Sequence, residues 1–326
     1  MSTIEKAVDG RDDRNGKTKR PKTANNTLEK AMAQARAKAP EAMQRPSAGQ
    51  KMARSAGQEA RVYDTERIHL PLGELGAAGV LTPLTPRSRI AEEYRTIKRP
   101  LLKNIDGLGA AQVEHPNLIM VTSALEGDGK TFSAVNLAMS IAMEQDKTVL
   151  LVDGDVAKAT AGRMLGIPGN KPGLTDVLSG DVSDVGEVLL RTDIDNLTVI
   201  PAGSLHDRAT ELLASSSMKR LMKEISERYH DRVIVFDSPP LLLTTEAAVL
   251  SSFMGQIVFV VNSESTPEAA VKEAIERIGD EQVVGLVLNR VRQRLGGTLG
   301  YGYGYGYGYG YGYGYDESSH NQRPAR

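Results

Sequence analysis

The sequence predicts an α/β fold, a mostly parallel β-sheet sandwiched by helices, and two observations predict it. Between Asn117 and Arg292, short apolar runs rich in Val, Ile and Leu alternate with helix-length segments. That is the pattern of strands buried on both faces and joined by crossover helices. One run, Leu118–Val121, leads into small and glycine residues and then a helical pattern, with Ala134, Leu137, Ala138, Ile141 and Ala142 at spacings of three and four.

That junction reads Ser123-Ala-Leu-Glu-Gly-Asp-Gly-Lys-Thr131. A strand, a glycine-rich loop, Lys-Thr and a helix make a phosphate-binding loop, the P-loop of nucleoside triphosphatases. Gly127 and Gly129 let backbone N–H groups turn inward, and the helix start adds partial positive charge. Glu126, Gly127, Asp128, Gly129, Lys130, Thr131 and Phe132 are the expected nucleotide contacts. Lys130 is suited to the terminal phosphates and the Thr131 hydroxyl to magnesium. Ala124 stands where such loops usually begin with glycine.

The remaining elements follow in order. Thr148–Val152 is a second strand ending at Asp153, and Leu197–Ile200 a third. Thr210–Tyr229 reads as one long helix. Arg232–Phe236 is a strand ending at Asp237, Glu246–Phe253 a helix, and Gln256–Val261 a strand. Pro267–Ile278 is a helix with proline in its first turn, and Val283–Leu288 is the last strand, closed by Asn289. Ligands of such sheets bind at the carboxyl ends of strands, so Asp153, Asp237 and Asn289 are expected to face the P-loop.

Outside this core, residues 1–60 are rich in Lys, Arg, Ala, Gln and Ser and poor in large apolar residues. They are expected to be disordered and basic. Residues 61–116 form a linker and a helix, Ser88–Arg99. Ile90, Tyr94 and Ile97 share one face of it, and Glu92, Arg95 and Lys98 another. Residues 117–294 are expected to form the P-loop domain. Residues 295–326 hold a strict Tyr-Gly alternation from Tyr301 to Tyr315, followed by Asp316-Glu317. Glycine at every second position disfavours helix and weakens strand, so this tail is expected to be flexible and its phenols accessible.

Composition narrows the chemistry. The 326 residues carry a net charge of −1, which gives no global attraction to nucleic acid, and no nucleic-acid partner is expected. There is no cysteine, hence no disulfide, thiolate site or thiol nucleophile. The five histidines have no metal-site spacing. No secretory signal and no run long enough to span a bilayer are seen.

Candidate catalytic groups cluster at strand ends. Asp237 suits a magnesium-holding carboxylate. Asp153 and Asp155 flank Gly154 and can share a metal or take a proton, the alternative being a polar turn. Lys158 is either a phosphate-side cation or a solvated lysine. Asn289 can bond a base edge through its amide, and Arg290-Val-Arg292 lacks the acid that a guanine-reading loop supplies, so adenine is preferred. A phenol has a pKa near roughly 10 and needs a carboxylate to attack phosphate. The alternative for the tail is an adhesive low-complexity segment.

Together, Ser123–Thr131, Val149–Asp155, Val233–Pro240 and the tyrosine-rich C-terminus resemble the bacterial tyrosine autokinases of polysaccharide export. The resemblance is to their short form, separate from the membrane co-polymerase, and to autokinases of exosortase-associated exopolysaccharide loci. It implies a non-receptor protein-tyrosine kinase using ATP and Mg²⁺. Lys130, Asp153, Asp155 and Asp237 would be catalytic, and Thr131, Asp153 and Asp237 would hold metal. It also implies autophosphorylation in trans at Tyr301, Tyr303, Tyr305, Tyr307, Tyr309, Tyr311, Tyr313 and Tyr315.

Glu92, Arg95 and Lys98 resemble the family's self-association motif, with Lys in place of its last Arg. The family's Arg after Asp-x-Asp is replaced by Ala157-Lys158. The implied partners are further copies of the chain, an inner-membrane polysaccharide co-polymerase or chain-length regulator, and a cognate tyrosine phosphatase. The implied location is the cytoplasm, at the inner membrane face. Two alternatives remain at this stage: a partition- or division-type P-loop ATPase, whose signature lysine would fall near Leu125 and is missing, and a nucleotide-binding scaffold with an adhesive tail.

Overall fold

The computed structural model describes residues 65–292 except 110–112 and 280. The expected N-terminal disorder and the tyrosine tail lie outside the described residues. The described elements are β1 (Arg67–Ile68), α1 (Leu72–Ala77), α2 (Arg89–Ile105), β2 (Leu118–Ser123), α3 (Lys130–Ala142), β3 (Thr148–Asp153), α4 (Thr160–Met164) and α5 (Leu174–Ser179). A 3₁₀ turn (Val185–Val188) precedes β4 (Leu190–Thr192) and β5 (Leu197–Ile200). Then follow α6 (Ala209–Leu213), α7 (Ser216–Arg228), β6 (Arg232–Asp237), α8 (Thr245–Ser251), β7 (Gln256–Asn262), α9 (Glu268–Glu276) and β8 (Val283–Asn289).

The strands form one sheet in the order β1-β4-β5-β3-β6-β2-β7-β8. Its pairings are parallel except β4 with β5. Side chains alternate between faces along each strand, and this divides the core. Ile119, Val121, Val149, Leu151, Val233 and Val235 pack under α2 and α3. Leu118, Met120, Leu150, Val152, Ile234 and Phe236 pack against the helices of the other face. Strands buried on both sides therefore read as unbroken apolar runs.

Two elements differ from the sequence expectation. Helix α2 does not stop before Pro100 but runs to Ile105. Proline removes one helical hydrogen bond, but continuing the helix buries Leu101. It also lets Asn104 Nδ2 donate to Gln256 Oε1 at 2.7 Å and Gln256 Nε2 to the Leu101 carbonyl at 3.3 Å. The expected helix Thr210–Tyr229 is two helices, because Ser215 breaks it. Its backbone is extended and its hydroxyl caps α7 by accepting from Met218 N–H at 3.2 Å. Serine competes with helix in this way and favours helix starts.

Among the described residues, no helix is long and apolar enough to cross a membrane. Ser215→Ala is expected to lower unfolding free energy by about 1 kcal/mol. Ser216→Ala, one residue inside α7, should change it by only a few tenths; urea melts of both variants check the contrast.

Candidate active site

The register of the sheet assembles the site. Strands β3, β6 and β2 are neighbours, with Asp153 opposite Asp237 and Asp237 opposite Val121. The carboxyl ends of β3 and β6 thus flank the loop that leaves β2. Lys130, the first residue of α3, reaches across: its ammonium lies 2.5 Å from Asp155 Oδ2 and 4.0 Å from Asp237 Oδ1. Gly154 permits this closeness. Its N–H donates to the Asp237 carbonyl at 2.7 Å, and a Cβ would sit 2.8 Å from that oxygen and from the Phe236 ring.

Asp153 and Asp237 are fully buried. Asp153 Oδ2 accepts the Gly162 N–H at 2.9 Å. Asp153 Oδ1 and both Asp237 oxygens have no hydrogen bond, although the Thr131 hydroxyl is near enough to favour the ionised Asp237. Burial pushes the Asp237 carboxyl up to about 7, against the pull of Lys130, with Asp153 adding to the rise. Burial likewise pushes Asp153 up to about 6, opposed by its Gly162 bond. Burial works to lower the Lys130 pKa, but the Asp237, Asp155 and Asp153 charges hold it above its ordinary value.

The P-loop is braced from within. Asp128 is buried; its Oδ2 accepts Leu125 N–H at 3.0 Å and its Oδ1 the Thr266 hydroxyl at 2.5 Å. Its side chain therefore shapes the loop, leaving backbone N–H groups for a phosphate. Gly129 is left-handed at φ 98°, and a Cβ there would meet Asn289 Nδ2 at 2.0 Å. Asn289 Nδ2 donates to the Asp128 carbonyl at 2.9 Å and its Oδ1 accepts Arg290 N–H. The amide expected to read a base thus clamps the P-loop, with both its polar ends bonded to the protein. Phe132 lines a groove with Ile90, Ile97, Leu286 and Asn289. Glu126 is exposed and ion-paired with Lys158.

Sequence reasoning missed Gly162 and Thr266. Both act through contacts set by folding, and neither sits in a recognisable motif. The expected outward triad on α2 is also altered. Glu92 and Arg95 pair with each other on the surface, but Lys98 is only 3% exposed. Its ammonium lies 2.5 Å from the Ser140 carbonyl and 2.6 Å from Glu144, because position 98 lies one turn beyond Tyr94 on the inward face.

A magnesium ion fits this donor set. The ion takes one or two carboxylates and keeps its other positions for water and phosphate. Among the described residues no cluster of three or more His, Cys, Asp or Glu could hold a metal ion, but Asp237 and Asp153 leave oxygens without a hydrogen bond that an ion shared with phosphate would meet. A carboxyl whose folded pKa is raised contributes stability below its unfolded pKa and loses it as pH rises. For Asp237 that window runs from 3.8 to about 7. Asp237→Asn should therefore match wild type near pH 4 and be more stable above pH 7 without metal, by on the order of a few kcal/mol. Calorimetric melting across that range in a chelator checks it.

Comparison with known proteins places this architecture. Residues 117–281 match the AAA domain family. Tyrosine-protein kinase YwqD of Bacillus subtilis is 31% identical over 224 residues, covering 68% of this chain and 90% of that protein. Tyrosine-protein kinase CpsD of Streptococcus agalactiae is 29% identical over 178 residues, covering 54% and 76%. The chain spans only 25% of AmsA of Erwinia amylovora and of tyrosine-protein kinase wzc of Salmonella typhi, at 32% and 33% identity. The kinase domain of the Escherichia coli tyrosine kinase ETK superposes with a TM-score of 0.56 at 26% identity, over 69% of this chain and 86% of that one. The chimerical protein CapA2B2 gives 0.56 at 28% identity, over 68% and 100%. With a P-loop lysine set among strand-end carboxylates and this similarity, the chain belongs to the bacterial tyrosine-protein kinases.

Proposed function

We propose that this chain uses ATP and Mg²⁺ to phosphorylate its own C-terminal tyrosines, largely in trans between copies in a homo-oligomer. The observation that carries this reading is the convergence of Lys130 with Asp153, Asp155 and Asp237 beside the P-loop. Backbone N–H groups from Glu126 to Thr131 cradle the phosphates, and the base lies toward Asn289 and Phe132. Lys130 turns from Asp155 to the terminal phosphates. Thr131, Asp153 and Asp237 would hold the metal, which supplies positive charge against the phosphate oxygens.

Asp153 has one oxygen fixed by Gly162 and one unbonded, so it is placed to take the phenol proton. The phenol oxygen attacks the γ-phosphorus, the bond from that phosphorus to the β–γ bridging oxygen breaks, and ADP leaves. Each transfer adds about −1.5 to −2 charge to the tail. Its regulatory meaning rests on the family resemblance: cycles of phosphorylation and removal by a cognate phosphatase control exopolysaccharide assembly through an inner-membrane co-polymerase, which recruits the cytoplasmic kinase. In self-association, Glu92 and Arg95 are the exposed members of the α2 triad, and Lys98 orients that helix from inside.

Asp153→Asn keeps an acceptor for Gly162 and removes a buried charge. It should fold normally and lose tyrosine labelling from γ-labelled ATP by 10²-fold or more. Lys130→Ala should also abolish labelling, but with a lower melting temperature, since breaking a buried ion pair costs about 3–5 kcal/mol. Phosphate release without tyrosine label in wild type would instead support a partition-type ATPase.

A further inference from the structure

A second cleft opens beside Asp153, between the turn into α4 and the loop after β5. Its wall is fixed. The Asp176 carboxylate accepts Gly173 N–H at 2.7 Å and Ser204 N–H at 3.0 Å. Gly203 has φ 95°, and a Cβ there would lie within 2.5 Å of Asp176 Oδ2. Val156 and Ile167 supply apolar surface, and Leu205 stands 92% exposed at the lip. A leucine so exposed beside a catalytic carboxylate is suited to an aromatic ring.

Three cations line the cleft: Lys158, Arg163 and Lys171. Lys158 is paired with Glu126 and Lys171 with Glu66. Arg163 instead donates to the Lys158 carbonyl at 2.8 Å, the Ala159 carbonyl at 3.4 Å and the Thr160 hydroxyl at 3.4 Å. Its charge is thus not neutralised by a carboxylate among the described residues. Arg163 lines the same cleft as Asp153, so an anion two residues from a phenol seated at Asp153 can meet it.

We propose that this cleft receives the acceptor tyrosine, and that Arg163 selects a tyrosine followed two residues later by an anion. The inference rests on the kinase reading above and adds a direction to it. In an extended acceptor, residues i and i+2 share one face about 7 Å apart. Of the eight tail tyrosines, only Tyr315 has an acid at i+2, namely Glu317. Transfer to Tyr315 then places a phosphate at i+2 from Tyr313, and the same step repeats toward Tyr301. Phosphate is a stronger arginine ligand than carboxylate, so each transfer primes the next. No acid lies on the other side of the repeat, where the chain reads Arg294-Leu-Gly-Gly-Thr-Leu-Gly300.

Time-resolved phosphosite mapping of the full chain with Mg²⁺ and ATP tests this. Wild type is expected to label Tyr315 first and then accumulate phosphate toward Tyr301. Glu317→Gln should slow the Tyr315 step by roughly 3- to 10-fold. Arg163→Ala should erase the order and reduce multiply phosphorylated tails, and Arg163→Lys should restore the order in part. If Arg163→Ala misfolds, Glu317→Gln carries the test alone. Label that starts at Tyr301, starts at random, or keeps its order in Arg163→Ala overturns the inference and leaves the kinase assignment standing. No tyrosine label in wild type overturns both.

Discussion

The fold brings three carboxylates to one place and provides Lys130 as their counter-charge. Asp153, Asp155 and Asp237 are all buried. Like charges at that spacing oppose ionisation, and burial opposes it further. Lys130 offsets part of this, touching Asp155 directly and Asp237 at longer range. What remains is a cluster that burial keeps partly protonated, with oxygens left unbonded, which a dication can meet. The site is thus costly to fold and matched to its ligand, as expected where activity and stability are in tension.

The surrounding structure serves to hold that cluster. Parallel pairing puts Asp153 and Asp237 level with each other, so the carboxylates are set by backbone hydrogen bonds and not by flexible loops. Gly154 lets the two strand ends touch. Asp128 and Asn289 brace the P-loop, through Thr266 and through the Asp128 carbonyl. Lys98 ties α2 to the far end of α3, the helix that begins with Lys130.

Much of this was legible in the sequence. The apolar runs marked the parallel strands because those strands are buried on both faces. The P-loop and strand-end aspartates were visible because their chemistry needs residue types at fixed spacing. Less was visible where tertiary contacts decided. Pro100 reads as a helix stop, yet burial of Leu101 and the Gln256 amide carry α2 through it. Ser215 resembles any helix residue until its hydroxyl caps α7. Lys98 belongs to a charged stripe at spacing three, but helical geometry turns it into the interior to meet Glu144. The short β1 pairs with the distant β4, and both carry too few residues to show a period.

Because burial raises both carboxyls, Asp237 and Asp153 are expected to hold protons until metal and nucleotide bind. Calorimetric titration with preformed Mg²⁺–ADP at pH 6.5, in buffers of different ionisation enthalpy, measures this directly. With Asp237 near 7 and Asp153 near 6, binding is expected to release roughly one proton, most of it lost in Asp237→Asn. Binding with no proton release, or with equal release in the two proteins, would contradict it.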